Sequence, residues 1–265
     1  VNYEAIKVRF QDTICFVKID RPEANNTISG QLVVECNHVL SMCEEAATVV
    51  VLSGSPEVFC FDADFNAFAT ASSKQGDGPG PLYDLWLRLV TGPYVTIAHV
   101  RGKTNAGGVG FVAASDIVLA DDTAQFSLSE LLFGLYPACV LPFLVRRIGF
   151  QKAHYLTLMT QPISVTAACE WGLVDAVDTQ SEALLRRHLL RLRRLSRTAI
   201  RRYKTYMNRI SQPLADLKSL AVAGNLEVFS DIYGNLRHCQ ALLNLRNGLG
   251  HIFGVVMERC ESSAP

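Results

Sequence analysis

Apolar and polar positions alternate along Ile6–Phe10 and Thr13–Ile19 with β-branched residues among them, which predicts two strands joined by Gln11-Asp12. Arg21-Pro22 ends that pairing, and the polar turn EANNT follows. Thr27 or Ser29 can cap a helix running to about Met42, with Leu32, Val33, Cys36 and Leu40 on one buried face. Ala47–Leu52 is an unbroken apolar run, the pattern of a strand buried on both faces, and residues 54–63 leave it as a loop. Residues 68–81, FATASSKQGDGPGP, have little apolar content and read as a mobile segment or an insertion. Beyond them a helix is expected over Pro81–Leu89 and a strand over Tyr94–Val100. After Gly110, FVAAS makes a short helix, followed by strands at 117–120 and 124–126 and a loop or 3₁₀ turn at Glu130–Leu135.

Helices are expected over Leu141–Ile148, Gln151–Met159 and Ala167–Glu170, and VDAV closes the run as a last short strand. Strand, crossover helix and strand recur at spacings that permit right-handed crossovers, so the class is α/β. The sequence itself shows no internal repeat. From Ser181 the chain reads helical, with Leu184, Leu185, Leu189, Leu192 and Leu195 as an apolar stripe and Ala223–Ser230 as a later helix.

Composition narrows the classes. The 265 residues are 49% hydrophobic with a formal net charge of zero, enough for one sizeable core and without a global nucleic-acid footprint. The eight cysteines lie mostly inside apolar runs and lack close pairs, which favours reduced thiols in a cytoplasmic protein over a disulfide framework. VNYEAIKVRF has early charges and no apolar h-region, and no uncharged apolar run reaches about 18 residues, so neither a signal peptide nor a membrane span is expected. The charge is uneven: ten of the 25 basic residues fall between Arg186 and Arg209. They read either as a solvated helix face or as a docking face for an acidic carrier domain or a pantetheine phosphate, which Arg146, Arg147 and Lys152 can join.

Two short stretches can hold chemistry, VFCFDAD at 58–64 and NAGG at 105–108, each expected beyond a buried strand. A glycine pair at a strand-to-helix junction permits close packing, supplies a positive φ, or exposes N–H groups to an anion. One N–H from each stretch can stabilise the enolate formed when a thioester loses its α-proton. Glu130, in the apolar stretch FSLSELLFG, is the candidate proton carrier; the alternative is a capping acid reaching back to Ser127. Asp62 and Asp64 flank the first stretch, and Tyr83 and Tyr136 can orient water or carboxylate or simply line the core. The six histidines show no metal-binding spacing, and no G-x-S-x-G elbow is present, although a Cys–His pair distant in sequence stays open.

Five motifs in order, RPEANNT, FCFDADF, VRGKTNAGGVGF, DIVLADDTAQFSLSELLFGLYP and ISVTAACEWGLVDAV, resemble the crotonase (enoyl-CoA hydratase/isomerase) superfamily over about residues 4–210. The wording of RPEANN, PLYDLW, SLSELLFGLYPACVLPFL and QKAHYLTLMT is most similar to the dehydratases of polyketide β-branching cassettes. The resemblance implies a crotonase fold, a spiral of ββα units over residues 1–195, with a helical trimerisation region over 196–265. It implies an oxyanion hole from the N–H groups of Ala63 and Gly107, and it matches the second of two family glutamates to Glu130. The first family glutamate falls on Gly110, so a two-glutamate mechanism does not carry over.

The implied reaction is dehydration of (S)-3-hydroxy-3-methylglutaryl on the phosphopantetheine of an acyl carrier protein to 3-methylglutaconyl, without a resident cofactor or metal. In that reading Glu130 handles the proton, with Asp64, Tyr83 and Asn105 as helpers that orient water, hydroxyl or the distal carboxylate. The assembly is expected to be a homotrimer or a dimer of trimers, without nucleic-acid or membrane partners. The runner-up activities are methylglutaconyl decarboxylation and enoyl isomerisation, and the non-enzymatic alternative is an inert scaffold of a synthase complex. Asp62 stands where the family usually has glycine, before the oxyanion-hole residue. Asp62→Gly is therefore expected to keep or raise turnover, and a large loss with folding intact would make Asp62 functional.

Overall fold

The computed structural model describes residues 3–61, 79–210 and 214–230. The chain opens with an antiparallel pair, β1 (Ile6–Gln11) and β2 (Ile14–Ile19), then α1 (Gly30–Ala46). Three strand–strand–helix units follow. They are β3 (Val49–Ser53), β4 (Val58–Cys60) and α2 (Gly80–Thr91); β5 (Val95–Val100), β6 (Lys103–Asn105) and α3 (Gly107–Ala114); and β7 (Ile117–Ala120), β8 (Gln125–Ser127) and α4 (Leu141–Met159). In each unit the first strand enters a six-stranded sheet, ordered β1-β2-β3-β5-β7-β10, and the second a four-stranded sheet, β4-β6-β8-β9. The short β9 (Ile163–Ser164), α5 (Val165–Glu170) and β10 (Ala176–Val177) complete both sheets, and α6 (Ser181–Leu192), α7 (Arg197–Ile210) and α8 (Leu214–Ser230) follow.

The apolar run of β3 is buried on both faces, as its sequence predicts. Val50 and Leu52 join the main core with α1 and α2, while Val49 and Val51 meet Leu184, Leu185 and Leu189 of α6 on the other side. Helix α1 starts where expected, with the Ser29 hydroxyl accepting from the Leu32 N–H at 3.2 Å, and all four predicted core positions are buried. It continues to Ala46 rather than Met42. The two helices predicted for 141–159 form one element broken at Gly149, whose φ of 77° interrupts the helical path. Leu195 departs from the predicted stripe: α6 ends at Leu192, and Leu195 lies exposed beyond the helix end.

The larger correction concerns β4. Residues 54–63 were expected as a loop, yet Val58–Cys60 forms a strand parallel to Lys103–Asn105. Three-residue strands leave no room for a periodicity to register, and KTN carries no apolar signal of its own. The turn before α1 holds β4 in place. Asn25 and Asn26 take left-handed φ values of 49° and 54°, which asparagine tolerates well. The buried Asn26 amide donates to the Val58 carbonyl at 2.9 Å, and its oxygen accepts from the Arg21 N–H at 2.9 Å. Of the eight cysteines, Cys15, Cys36, Cys43, Cys60, Cys139 and Cys169 are described, and all six are free thiols. Cys239 and Cys260 lie outside the described residues, as does most of the predicted mobile segment.

No described helix is long and apolar enough to cross a membrane.

Candidate active site

Strands β4, β6 and β8 run parallel, with Cys60 beside Thr104 and Asn105 beside Ser127. Their carboxyl ends therefore open on one edge of the small sheet, where loops of an α/β protein meet ligands. From that edge β6 leads into Gly107 and β8 into Glu130. The third strand leads into residues 62–78, so Ala63, Asp64 and Asp62 fall outside the described residues.

Between β6 and α3 the backbone is held in an uncommon conformation. Ala106 has φ 47° and ψ −115°, a region costly for a residue with a side chain. It is fixed by its N–H donating to the Ser127 carbonyl and its carbonyl accepting from the Val109 N–H, both at 2.9 Å. That turn starts α3 at Gly107, whose N–H belongs to the helix's amino end, where partial positive charge favours an anion. The next residue shows why glycine stands there. A Cβ on Gly108 would lie 2.2 Å from the Cys60 carbonyl oxygen, so the pair NAGG lets α3 lie directly against β4.

Glu130 begins a 3₁₀ turn, Glu130–Phe133, and is 8% exposed. The capping alternative is not what forms: the turn is entered at Ser129 without a side-chain cap, and the Ser127 hydroxyl instead donates to Asn105 Oδ1 at 2.8 Å. The same amide donates through Nδ2 to Ser129 Oγ at 3.0 Å. Asn105 thus ties β6 to both residues that lead β8 into Glu130, and it is buried while doing so. This geometry suits a positioning residue. Asn105→Ala is expected to lower turnover by roughly 10- to 100-fold with little change in KM, read by steady-state kinetics; unchanged kcat would remove that role.

The face of α3 one turn beyond Gly107 meets a tryptophan. A Cβ on Gly110 would lie 2.4 Å from Trp86 Cζ2 and 2.7 Å from Cε2. Trp86 stands edge-on to Phe111 and Phe143 at centroid distances of 5.9 and 5.7 Å. Sequence reasoning marked PLYDLW and the missing acid at 110 separately. The structure joins them, since the ring fills the space a side chain at 110 would take.

Tyr83 turns away from a helper's role in this geometry. Its hydroxyl is fully buried and donates to the Leu214 carbonyl at 2.7 Å, tying α2 to α8, and burial pushes its phenol up to about 12. Tyr136 likewise reaches α8, near Gly224. The basic stretch divides. Arg187, Arg193 and Arg197 pair with Asp178, Asp12 and Glu45, and Lys204 is buried with Nζ 2.6 Å from Asp116. Arg186, Arg191, Arg194, Arg201, Arg202 and Arg209 are exposed. Arg147 does not join a docking patch, because it donates to the Leu173 and Ser115 carbonyls and to Asp175.

Residues 9–241 match the family described as enoyl-CoA hydratase/isomerase. The chain is 60% identical over 235 residues to the bacillaene synthase dehydratase PksH of Bacillus subtilis, covering 87% of this chain and 91% of that one. The crystal structure of pksH from Bacillus subtilis superimposes with a TM-score of 0.86 at 55% identity, over 93% of this chain and all of that one. An enoyl-CoA hydratase/isomerase from Marinobacter aquaeolei follows with a TM-score of 0.73 at 28% identity, over 82% and 88% of the two chains.

Proposed function

This chain belongs to the enoyl-CoA hydratase/isomerase family, and from that premise we propose that it dehydrates (S)-3-hydroxy-3-methylglutaryl held on an acyl carrier protein, giving 3-methylglutaconyl. It is a hydratase/dehydratase-type enzyme of the crotonase fold. The observation that carries the finer reading is the 60% identity to a polyketide synthase dehydratase across nearly the whole of both chains. A buried acid at Glu130, with no second acid possible at Gly110 beside the Trp86 ring, supports a one-carboxylate mechanism.

In that mechanism the thioester carbonyl sits at the amino end of α3, against the Gly107 N–H, with the Ala63 N–H as its second donor. The Glu130 carboxylate takes the α-proton, and the C–H electron pair moves into the enolate. The donors stabilise the charge as it develops. The Glu130 acid then returns the proton to the tertiary hydroxyl at Cβ. The C–O bond breaks, the enolate pair forms the new double bond, and water leaves. One carboxylate serves both steps because hydroxyl departure consumes the proton just abstracted, which fits a syn elimination. No resident cofactor is needed, and Asp64 is left as a candidate for orienting the hydroxyl.

The exposed arginines of α6 and α7 suit an acidic carrier domain, and the exposed row Phe150, Tyr155, Leu158 and Met159 on α4 suits burial in a homotrimer or a dimer of trimers. The deciding experiment is an intact-mass assay of carrier protein loaded with the hydroxymethylglutaryl group. Loss of one water supports dehydration. Loss of carbon dioxide from the methylglutaconyl form would move the assignment to a decarboxylase, and no change in either would favour the scaffold.

A further inference from the structure

Trp86 carries a polar group that the mechanism above does not use. The residue is 1% exposed, and its Nε1 is buried with no hydrogen-bond partner among the described residues. Indole nitrogen is a donor only, so it can be satisfied only by an acceptor brought to it. Buried donors are nearly always paired in folded proteins, and an orphan calls for an explanation. Its position supplies one. The ring edge facing Gly110 is Cε2–Cζ2–Cη2, and Nε1 is bonded to Cε2, at the end of that edge. Gly110 lies three residues after Gly107, hence on the same helix face and about 4.5 Å further along the axis. The donor therefore lies beside α3 about one turn from Gly107.

We infer that Trp86 is a specificity-determining residue whose indole N–H donates to an acceptor oxygen on the branched end of the acyl group. That oxygen is either the tertiary hydroxyl or the distal carboxylate; both offer lone pairs that a donor-only group can read. Gly110 is the companion feature, since only a residue without a side chain lets the indole edge approach α3 so closely. The identity of the acyl group rests on the dehydratase reading, but the existence of a donor selecting for oxygen there does not.

The test measures binding rather than turnover. Three pantetheine thioesters with the same branch, 3-hydroxy-3-methylglutaryl, 3-hydroxy-3-methylbutyryl and 3-methylbutyryl, are titrated calorimetrically into the Glu130→Gln protein with and without Trp86→Phe. Removing the N–H is expected to weaken the first ligand about tenfold and leave the third within about twofold. The second ligand separates the sources: loss there assigns the hydroxyl, and no loss assigns the carboxylate. Because phenylalanine is smaller, the comparison is repeated with β-(3-benzothienyl)alanine at position 86 in a Trp171→Phe background. That residue keeps the bicyclic outline and exchanges N–H for sulfur. An equal effect on all three ligands, or none, in the ring-preserving protein overturns the inference. Wild-type protein that leaves the loaded carrier unchanged in the intact-mass assay, while the Glu130→Gln protein shows the expected Trp86 effect on binding, would sink the proposed reaction alone. Protein that binds none would sink both.

Discussion

Glu130→Gln is expected to lower dehydration by roughly 10³- to 10⁴-fold while binding of the loaded carrier stays within a few-fold. The size follows from the double duty placed on one group. A general base contributes about 10²- to 10⁴-fold, and the same carboxylate must also act as the acid, so an amide that can neither take nor give a proton loses both contributions at once. The binding side follows from shape: glutamine keeps the outline of a side chain buried at the start of a braced 3₁₀ turn. Folding should not suffer, because a buried carboxylate is replaced by a neutral group. Single-turnover intact-mass kinetics and a thermal melt check the two halves separately. Turnover within about tenfold of wild type, with a normal melt, would take the proton chemistry away from Glu130.

How much of this was legible in the sequence differs between the two sheets. The six-stranded sheet was written plainly: ATVVVL and YVTIAHV are long enough for an apolar run to stand out, and each is a strand. The break at Gly149 was also visible, because two amphipathic segments flank it. The small sheet was not. Its strands are two or three residues long, one of them read as loop, and their pairing is purely a matter of backbone. The three strand–strand–helix units repeat in space with no repeat in side chains, because what recurs is the path and not the chemistry along it.

The site was legible as chemistry but not as geometry. A lone acid in an apolar stretch and a glycine pair after a strand could be read directly, since each is an unusual residue for its setting. What could not be read was the brace. Asn105 looked like a substrate helper because it sits in the motif, and its amide also bonds Ser127 and Ser129. Tyr83 looked similar, and its hydroxyl is spent on a carbonyl more than a hundred residues away. Asn26 drew no functional attention at all, although it fixes the strand that leads toward Ala63. Long-range polar contacts of this kind leave no spacing in the sequence to detect.

Gly110→Glu, which would supply the acid a two-glutamate hydratase places there, is expected to destabilise the protein rather than add hydratase activity. The first atom of any side chain at 110 would meet Trp86 at 2.4 Å, far inside contact distance. The ring has little freedom to give. It is held edge-on by Phe111 and Phe143, and Phe143 packs 4.9 Å from Tyr83, which is itself anchored to Leu214. Overpacking of that kind costs about 1–3 kcal/mol. A second buried carboxylate adds a desolvation cost of several kcal/mol unless it is protonated. A fall of roughly 10 °C or more in the melting temperature is therefore expected for a chain of this size. Trp86→Ala should relieve the steric part, so the double variant should lose less than the sum of the two single losses, a non-additivity that identifies the two positions as sharing one volume. If Gly110→Glu melted like the wild type, the ring would have to yield freely. The absence of an acid at 110 would then need an explanation in chemistry instead of space.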